Sequence, residues 1–366
     1  MSIILAVAIV ISLLVVLVDL VLWIAWRPKA EKTEEFEGEF PFVSILLAVR
    51  NEVHIVNKTL ESLEALDYPK DKYEVLMGDD HSSDGTSKIL ETWAHENKQF
   101  KYFLVQEELD GKKAKANVLA QIEKYAQGEI LMFTDADILV PASWLKKHLA
   151  CLKPEMGIQN GFTLVQPTSF FSSMQMIDWS LALGMIKIVS GWGKPVTGVG
   201  NNMLVTREAY KEVGGYSNIP FSITEDYALF REVVQKGFKF QQLANGESLA
   251  KSKAEKNITS LLTQRKRWMT GAMQLPLFMK TLLVFQAAYY PAIIIILMIN
   301  PLVGIPLFGL KATLQSLFIN KILERLGEYM PLGHLLIFEF YSAVLSIVLC
   351  FYYILPIPVV WKGRKY

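Results

Sequence analysis

Three acidic clusters stand where chemistry could be done: Asp79-Asp80, Asp135-Ala136-Asp137 and Glu225-Asp226. In the second, the apolar run Ile130, Leu131, Met132 and Phe133 stops abruptly at the carboxylates. The run reads as a buried strand. Carboxylates at i and i+2 on its C-terminal end lie at the mouth of a parallel sheet, where ligands bind. Together they can reach a hard divalent cation, and such a cation suits a diphosphate. Taken alone, Asp-x-Asp equally describes a strand followed by an acidic turn. The third cluster also has a structural reading. Thr224 can cap a helix over 223–238, and the acids after it favour that helix's N-terminus. A basic, helix-like segment at 261–273 carries Gln264, Arg265, Lys266, Arg267 and Trp268.

The elements that would position these groups alternate regularly. A strand over 42–49 ends in Arg50-Asn51-Glu52, and 53–66 has helical periodicity through Ile55, Leu60, Leu63 and Leu66. A second strand, 73–80, ends in Asp79 and Asp80. A loop and a helix over 87–94 follow, then a strand over 102–106. The segment DGKKAKAN opens the next helix, which leads to the strand at 129–134. This rhythm argues an α/β fold with a doubly wound, mostly parallel sheet. Its strand ends gather Glu52, Asp79, Asp80, Asp135 and Asp137 along one edge. The second half is less regular. Residues 163–190 read either as a core helix or as an amphipathic helix on a membrane. Residues 196–216 read as a Gly-rich turn, a short strand and a helix.

Both ends are apolar. Residues 3–24 are long enough to cross a bilayer, which takes about 20 residues. Trp23 and Trp26 sit at the interface position, and Arg27, Lys29 and Lys32 follow. That bias places the downstream side in the cytoplasm. A signal peptide fits less well, because no positive charge precedes the run. The expected organisation is an anchor at 1–27, a charged linker at 28–41, a cytoplasmic catalytic domain at 42–275 and a membrane region at 276–366. That last region holds apolar stretches at 282–310 and 335–360, giving about two crossings, with 311–334 along the interface. The basic residues Lys362, Arg364 and Lys365 place the C-terminus in the cytoplasm. A net charge of +1 gives no electrostatic case for nucleic acid, and two distant cysteines exclude a disulfide framework.

The order of these signatures resembles the membrane-bound family-2 inverting glycosyltransferases of GT-A type, which include cellulose and hyaluronan synthases and ceramide glucosyltransferase. The motifs that carry the resemblance are MGDDHSSDGT, TDAD, TED and QRKRW, over about residues 40–275. His81 departs from the pattern, which more often has a small residue after the Asp pair. The resemblance implies that Asp79 and Asp80 contact the uracil and ribose of a UDP-sugar, with Ala48, Arg50 and Glu52 flanking the nucleotide. It implies a divalent cation, Mg2+ or Mn2+, on Asp135 and Asp137. Lys113 takes the place of a lysine near the nucleotide, with Lys112 and Lys115 as alternatives. Asp226 matches the general base, beside Glu225. Gln264 and Arg267 fall on the diphosphate side, and Trp268 suits stacking on an acceptor sugar or lipid headgroup.

The expected function is therefore sugar transfer from a UDP-sugar to a membrane lipid or membrane-held glycan. A processive polysaccharide synthase is the nearer alternative. A short membrane part leaves little material for a sugar channel, which favours the lipid. A nucleotidyltransferase fits less well, because AVRNEVHI lacks the glycine-rich loop that such enzymes carry after the first strand. A non-enzymatic membrane scaffold is disfavoured because every position needed for chemistry is filled. For a lipid acceptor, 163–190 and QRKRW are expected to share the side of the domain that faces the membrane helices. Arg265, Lys266 and Arg267 are then available to anionic headgroups or to the diphosphate, while Trp268 packs on the acceptor.

Overall fold

The computed structural model describes residues 3–27, 36, 38–109 and 111–356, with the backbone of 360, 361, 364 and 365. Most of the linker expected at 28–41, including Lys29 and Lys32, lies outside the described residues. So do the side chains of Lys362, Arg364 and Lys365.

Helix α1 (Ile3–Ala25) comes first. Then β1 (Val43–Val49), α2 (Val56–Glu64), β2 (Tyr73–Asp79), α3 (Thr86–Glu96), β3 (Phe100–Leu104), α4 (Ala114–Ile122) and β4 (Ile130–Asp135) alternate as expected. The second half adds β5 (Ile138–Leu139), α5 (Trp144–Ala150), β6 (Met156–Asn160), β7 (Thr163–Val165), α6 (Phe170–Gly191) and β8 (Asn202–Thr206). It continues with α7 (Arg207–Glu212), α8 (Gly215–Asn218), α9 (Glu225–Gln235), β9 (Lys239–Gln242), β10 (Ala250–Ser252) and α10 (Ile258–Ala272).

Seven strands form one sheet in the order β3-β2-β1-β4-β8-β6-β9. All neighbours pair in parallel except β8, which runs antiparallel to both β4 and β6. The central strands read as continuous apolar runs because helices cover both faces. Ile45, Leu47, Val75 and Met77 point into one core, with Leu60 and Leu63 of α2. Leu46, Leu76, Leu131 and Phe133 point into the other, with Leu119 of α4 and Leu229 of α9. The register sets the functional edge. Val49 pairs with Asp79 and Ala48 with Asp135, so the carboxylates after β2 and at the end of β4 flank the end of β1. Beside this sheet, β5, β10 and β7 form a small one.

Helix α6 resolves the choice left open at 163–190. Its Met174, Met176, Ile177, Leu183 and Ile188 are buried with Leu22 and Trp26 from the α1 end of the chain, Phe318 and Ile322 further on, and Phe338. It is a core helix that joins the catalytic sheet to the apolar helices. Ser169 and Ser172 cap it reciprocally.

The C-terminal part holds three long apolar helices where about two were expected: α11 (Leu277–Ile299), α12 (Pro301–Arg325) and α13 (Leu332–Ile354). With α1, that makes four helices long and apolar enough to cross a membrane among the described residues. The break falls at Asn300-Pro301, while Pro291 and Pro306 lie inside helices. Residues 311–325 thus continue an apolar helix and do not form a separate interfacial segment. Their buried charge is paired internally. Lys311 Nζ lies 2.8 Å from Glu339 Oε2 and 3.9 Å from Asp19 Oδ2, so one ammonium links α12 to α13 and α1. This is the polar partner that Asp19, inside an apolar span, requires.

Candidate active site

The site grows from the ends of β4 and α4 and the start of α9. Asp135 closes β4, and Lys115 projects from the first turn of α4. Lys115 Nζ lies 2.6 Å from Asp135 Oδ1 and 3.0 Å from Glu225 Oε1. One ammonium therefore ties the Asp-x-Asp motif to the start of α9. Burial lowers the basicity of Lys115, but the charges of Asp135, Glu225 and Asp226 outweigh it and hold the ammonium protonated.

Asp226 sits in the first turn of α9. Its carboxylate accepts the Gly200 N–H at 2.9 Å and the Tyr227 N–H at 2.8 Å. Thr224 occupies the cap position but its side chain makes no capping bond. The chain segment Gly198–Gly200 approaches Asp226 so closely that no side chain fits. A Cβ on Gly198 would stand 2.4 Å from the Asp226 carbonyl oxygen, and one on Gly200 2.7 Å from the Asp226 Cβ. These glycines let a backbone donor reach the carboxylate. Burial and the neighbouring charge of Glu225 push the Asp226 pKa up to about 6, with Lys115 and the two N–H donors opposing. A carboxylate poised there accepts a proton near neutrality far better than an ordinary aspartate.

Asp137 and Glu52 share a second lysine. Lys253, directly after β10, places Nζ 2.7 Å from Glu52 Oε2 and 3.7 Å from Asp137 Oδ2. Burial lowers its basicity, and the charges and hydrogen bond of Asp137 and Glu52 raise it above the usual lysine value.

Helix α10 supplies the opposite wall. Gln264 donates to Glu255 at 2.9 Å. Arg265 pairs with Asp178 of α6 at 2.5 Å, and its guanidinium lies over the Trp268 ring at 4.2 Å. Trp268 meets Trp179 edge-on, with centroids 5.3 Å apart. Lys266 is buried and donates to the carbonyls of Tyr352 (3.2 Å) and Leu355 (2.8 Å) at the end of α13. Arg265 and Lys266 are thus both engaged within the protein, and of the two only Arg265 lines the central cavity. One holds an aromatic wall, and the other satisfies the open carbonyls of a helix end.

A cavity of about 1040 Å³ unites these groups. Ala48, Glu52, Asp135, Asp137, Glu225, Asp226, Gln264, Arg267 and Trp268 all line it, as expected. So do Lys115, Trp179 and, from α11, Met279 and Leu283. Segments 163–190 and QRKRW thus meet across one cavity that contains Asp226. Arg50, Asp79 and Asp80 stand at the neighbouring strand ends, outside this lining. Asp79 is fully buried. Its carboxylate accepts from the Ser82 N–H (3.0 Å), the Ser87 hydroxyl (2.5 Å) and the Tyr102 hydroxyl (3.4 Å). It therefore fixes the 80–87 loop. Asp80 faces Arg50, which donates to the Asp80 carbonyl and lies 3.8 Å from its carboxylate. His81 adopts a left-handed conformation, φ 54°. Lys113 is exposed at the start of α4 and outside the cavity lining, whereas Lys115, one of its two alternatives, lines the cavity.

Sequence reasoning missed Lys253, the Asp178–Arg265 pair and the contact role of Gly198 and Gly200. Only the GVG spacing before a polar Asn-Asn pair hinted at the last.

The model of the family described as glycosyl transferase family 21 matches residues 4–366. The chain is 28% identical over 252 residues to β-monoglucosyldiacylglycerol synthase of Trichormus variabilis, covering 66% of this chain and 51% of that protein. It is 26% identical over 329 residues to the enzyme of that name from a Nostoc species, covering 81% and 67%. Poly-β-1,6-N-acetyl-D-glucosamine synthase of Staphylococcus epidermidis is 28% identical over 235 residues, covering 63% and 54%. The matched segments thus span roughly half to two thirds of these relatives' lengths. Among solved structures, a mannosyltransferase from Pyrobaculum calidifontis in complex with GDP-Man and Mn2+ superposes with a TM-score of 0.59 at 19% identity. The match covers 94% of this chain and 98% of that one, which bears out the GT-A-type fold.

Proposed function

The chain belongs to glycosyl transferase family 21, and on that premise we propose that it transfers a sugar from a UDP-sugar, with inversion, to a hydroxyl of a membrane lipid. One observation carries the reading: Asp226 and Trp268 line the same cavity as Met279 and Leu283 of the apolar helix α11. A hydroxyl at the carboxylate and an aliphatic chain along the helix can then belong to one molecule. Keeping that chain in apolar surroundings matters, because each CH₂ exposed to water costs about 0.8 kcal/mol. The positive charge after α1 supports a catalytic domain on the cytoplasmic side.

Asp226 takes the proton of the acceptor hydroxyl as its oxygen attacks the anomeric carbon. The bond to the diphosphate breaks on the opposite face, and UDP departs. Lys115 holds Glu225 and Asp135 in register with the base. Arg50 and Asp80 bind the nucleoside end, and Asp79 keeps their loop in shape. Arg267 and Gln264 face the diphosphate across the cavity. Trp268, braced by Arg265 and Trp179, offers a rigid ring to the acceptor.

Asp135 and Asp137 would hold a divalent cation. Among the described residues no group of three or more His, Cys, Asp or Glu could hold a metal ion by itself. Two carboxylates nonetheless fit Mg2+ or Mn2+, which protein sites hold through one or two carboxylates and substrate phosphates. Both carboxylates line the cavity, and each already has a lysine ammonium nearby. Bound there, the cation neutralises the diphosphate and the charge gathering on the leaving UDP.

The likeness to the Staphylococcus synthases supports a second reading, polymer synthesis. Membranes containing the protein, incubated with a panel of labelled UDP-sugars and extracted, separate the two. Label in the organic phase is the expected result. Label confined to high-mass aqueous material would replace the lipid by a polymer.

A further inference from the structure

Two lysines pair with carboxylates that line the cavity, Lys115 from within the lining and Lys253 from outside it, and they differ in freedom. Lys115 is enclosed between Asp135 and Glu225, with its side chain 15% exposed. Lys253 reaches Glu52 and Asp137 from the end of β10 with its side chain 46% exposed. Four flexible carbons carry its ammonium, so it can leave without disturbing a packed core. Its two partners lie on either side of the donor position: Glu52 on the nucleotide edge and Asp137 on the cation motif.

A divalent cation and an ammonium cannot both lie against Asp137 at low cost. Their repulsion is strong in a cavity screened less than bulk water. The nearest new anion is the donor's own diphosphate. We propose that Lys253 is a transferable counter-charge: without donor it holds Glu52 and Asp137 together, and with donor and cation its ammonium moves to the diphosphate. This rests on the UDP-sugar reading above. Its consequence is coupling. Donor draws the lysine off Asp137 and opens that carboxylate to the cation. By linkage, the cation strengthens donor binding by the same factor. Lys253 is thus a donor-binding residue that also couples donor binding to cation binding.

Full-length protein in detergent provides the test, with free Mn2+ measured by electron paramagnetic resonance and UDP by calorimetry. Lys253→Met should bind Mn2+ alone about fivefold more tightly, because Asp137 loses a competitor. It should bind UDP in the presence of Mn2+ about fivefold more weakly, because the diphosphate loses an ammonium. The opposite signs distinguish transfer from a static role. Lys253→Arg, which keeps the charge, should restore UDP affinity. If Mn2+ binds Lys253→Met more weakly or equally well, the lysine merely holds Asp137 in place and the proposal is overturned. Tighter Mn2+ with unchanged UDP overturns the transfer. Wild-type protein that binds neither ligand refutes the donor reading itself, a result distinct from unchanged constants in the variant alone.

Discussion

Asp226→Asn separates the chemical from the structural role of the third acidic cluster. The substitution keeps the shape, and its single amide oxygen can still accept one of the two N–H groups, Gly200 at 2.9 Å and Tyr227 at 2.8 Å, that the two carboxylate oxygens hold. It removes the capacity to take a proton together with one acceptor oxygen. General base catalysis contributes roughly 100- to 10,000-fold, or about 3 to 5 kcal/mol of transition-state stabilisation. Transfer should fall by that factor while UDP binding persists. Stability should not fall with it. The folded pKa of about 6 lies above the ordinary 3.8, so the fold binds this proton more tightly than the unfolded chain does. The group's contribution to stability is therefore greatest at low pH and is lost as pH rises from 3.8 through 6. At pH 7 the buried charge is a burden that asparagine removes, which offsets the lost acceptor, and the melting temperature should hold. The wild-type rate should decline about tenfold per unit below pH 6, as the base becomes protonated. Two measurements decide: radiolabel transfer across pH 4.5–8, and thermal unfolding of both proteins at pH 7. A loss of only a few-fold, or a melting temperature that drops together with activity, would refute the base assignment and leave a structural carboxylate.

Three further outcomes follow from the same geometry. Chelation by EDTA should abolish transfer, and Asp137→Ala should do the same in excess Mn2+; full activity in chelator would remove the cation from the site. Gly200→Ala places a methyl 2.7 Å from the Asp226 Cβ, and a displacement of about 1 Å costs on the order of 100-fold in rate. Its kcat should fall with UDP affinity intact, and a variant as active as wild type would mean that the Gly198–Gly200 segment does not set the base. Leu283→Trp should fill the α11 side of the cavity, raising the KM for a lipid acceptor about tenfold without changing UDP binding, as read from paired acceptor titrations and calorimetry.

The parts of the site that were legible in the sequence are those that local pattern determines. Apolar runs β1, β2 and β4 end in polar residues, and parallel pairing puts strand ends on one edge. Ala48, Asp79 and Asp135 were therefore brought together by register alone. The strands β6 and β9 were not legible. Gln159 and Asn160 of β6 are fully or nearly fully buried, yet nothing in MGIQN marks a buried strand. What makes them tolerable is tertiary: Gln159 bonds His148 at 2.8 Å, and His148 bonds Asn202 of β8 at 2.9 Å. Burial pushes the His148 pKa down to about 4, so the imidazole stays neutral and serves as a link in the core. The same distinction separates Lys113 from Lys115. Both lie in one basic run, and only the direction in which α4 leaves the sheet decides which meets Asp135. Lys253 shows the limit most clearly. It is 201 residues from Glu52 in the chain, directly after a strand too short to announce itself, and its partners come from the segment after β1 and from the Asp-x-Asp turn. A motif records residues that one element presents; a counter-charge assembled from three elements leaves no such record, and its role follows only from which carboxylates the fold leaves beside it.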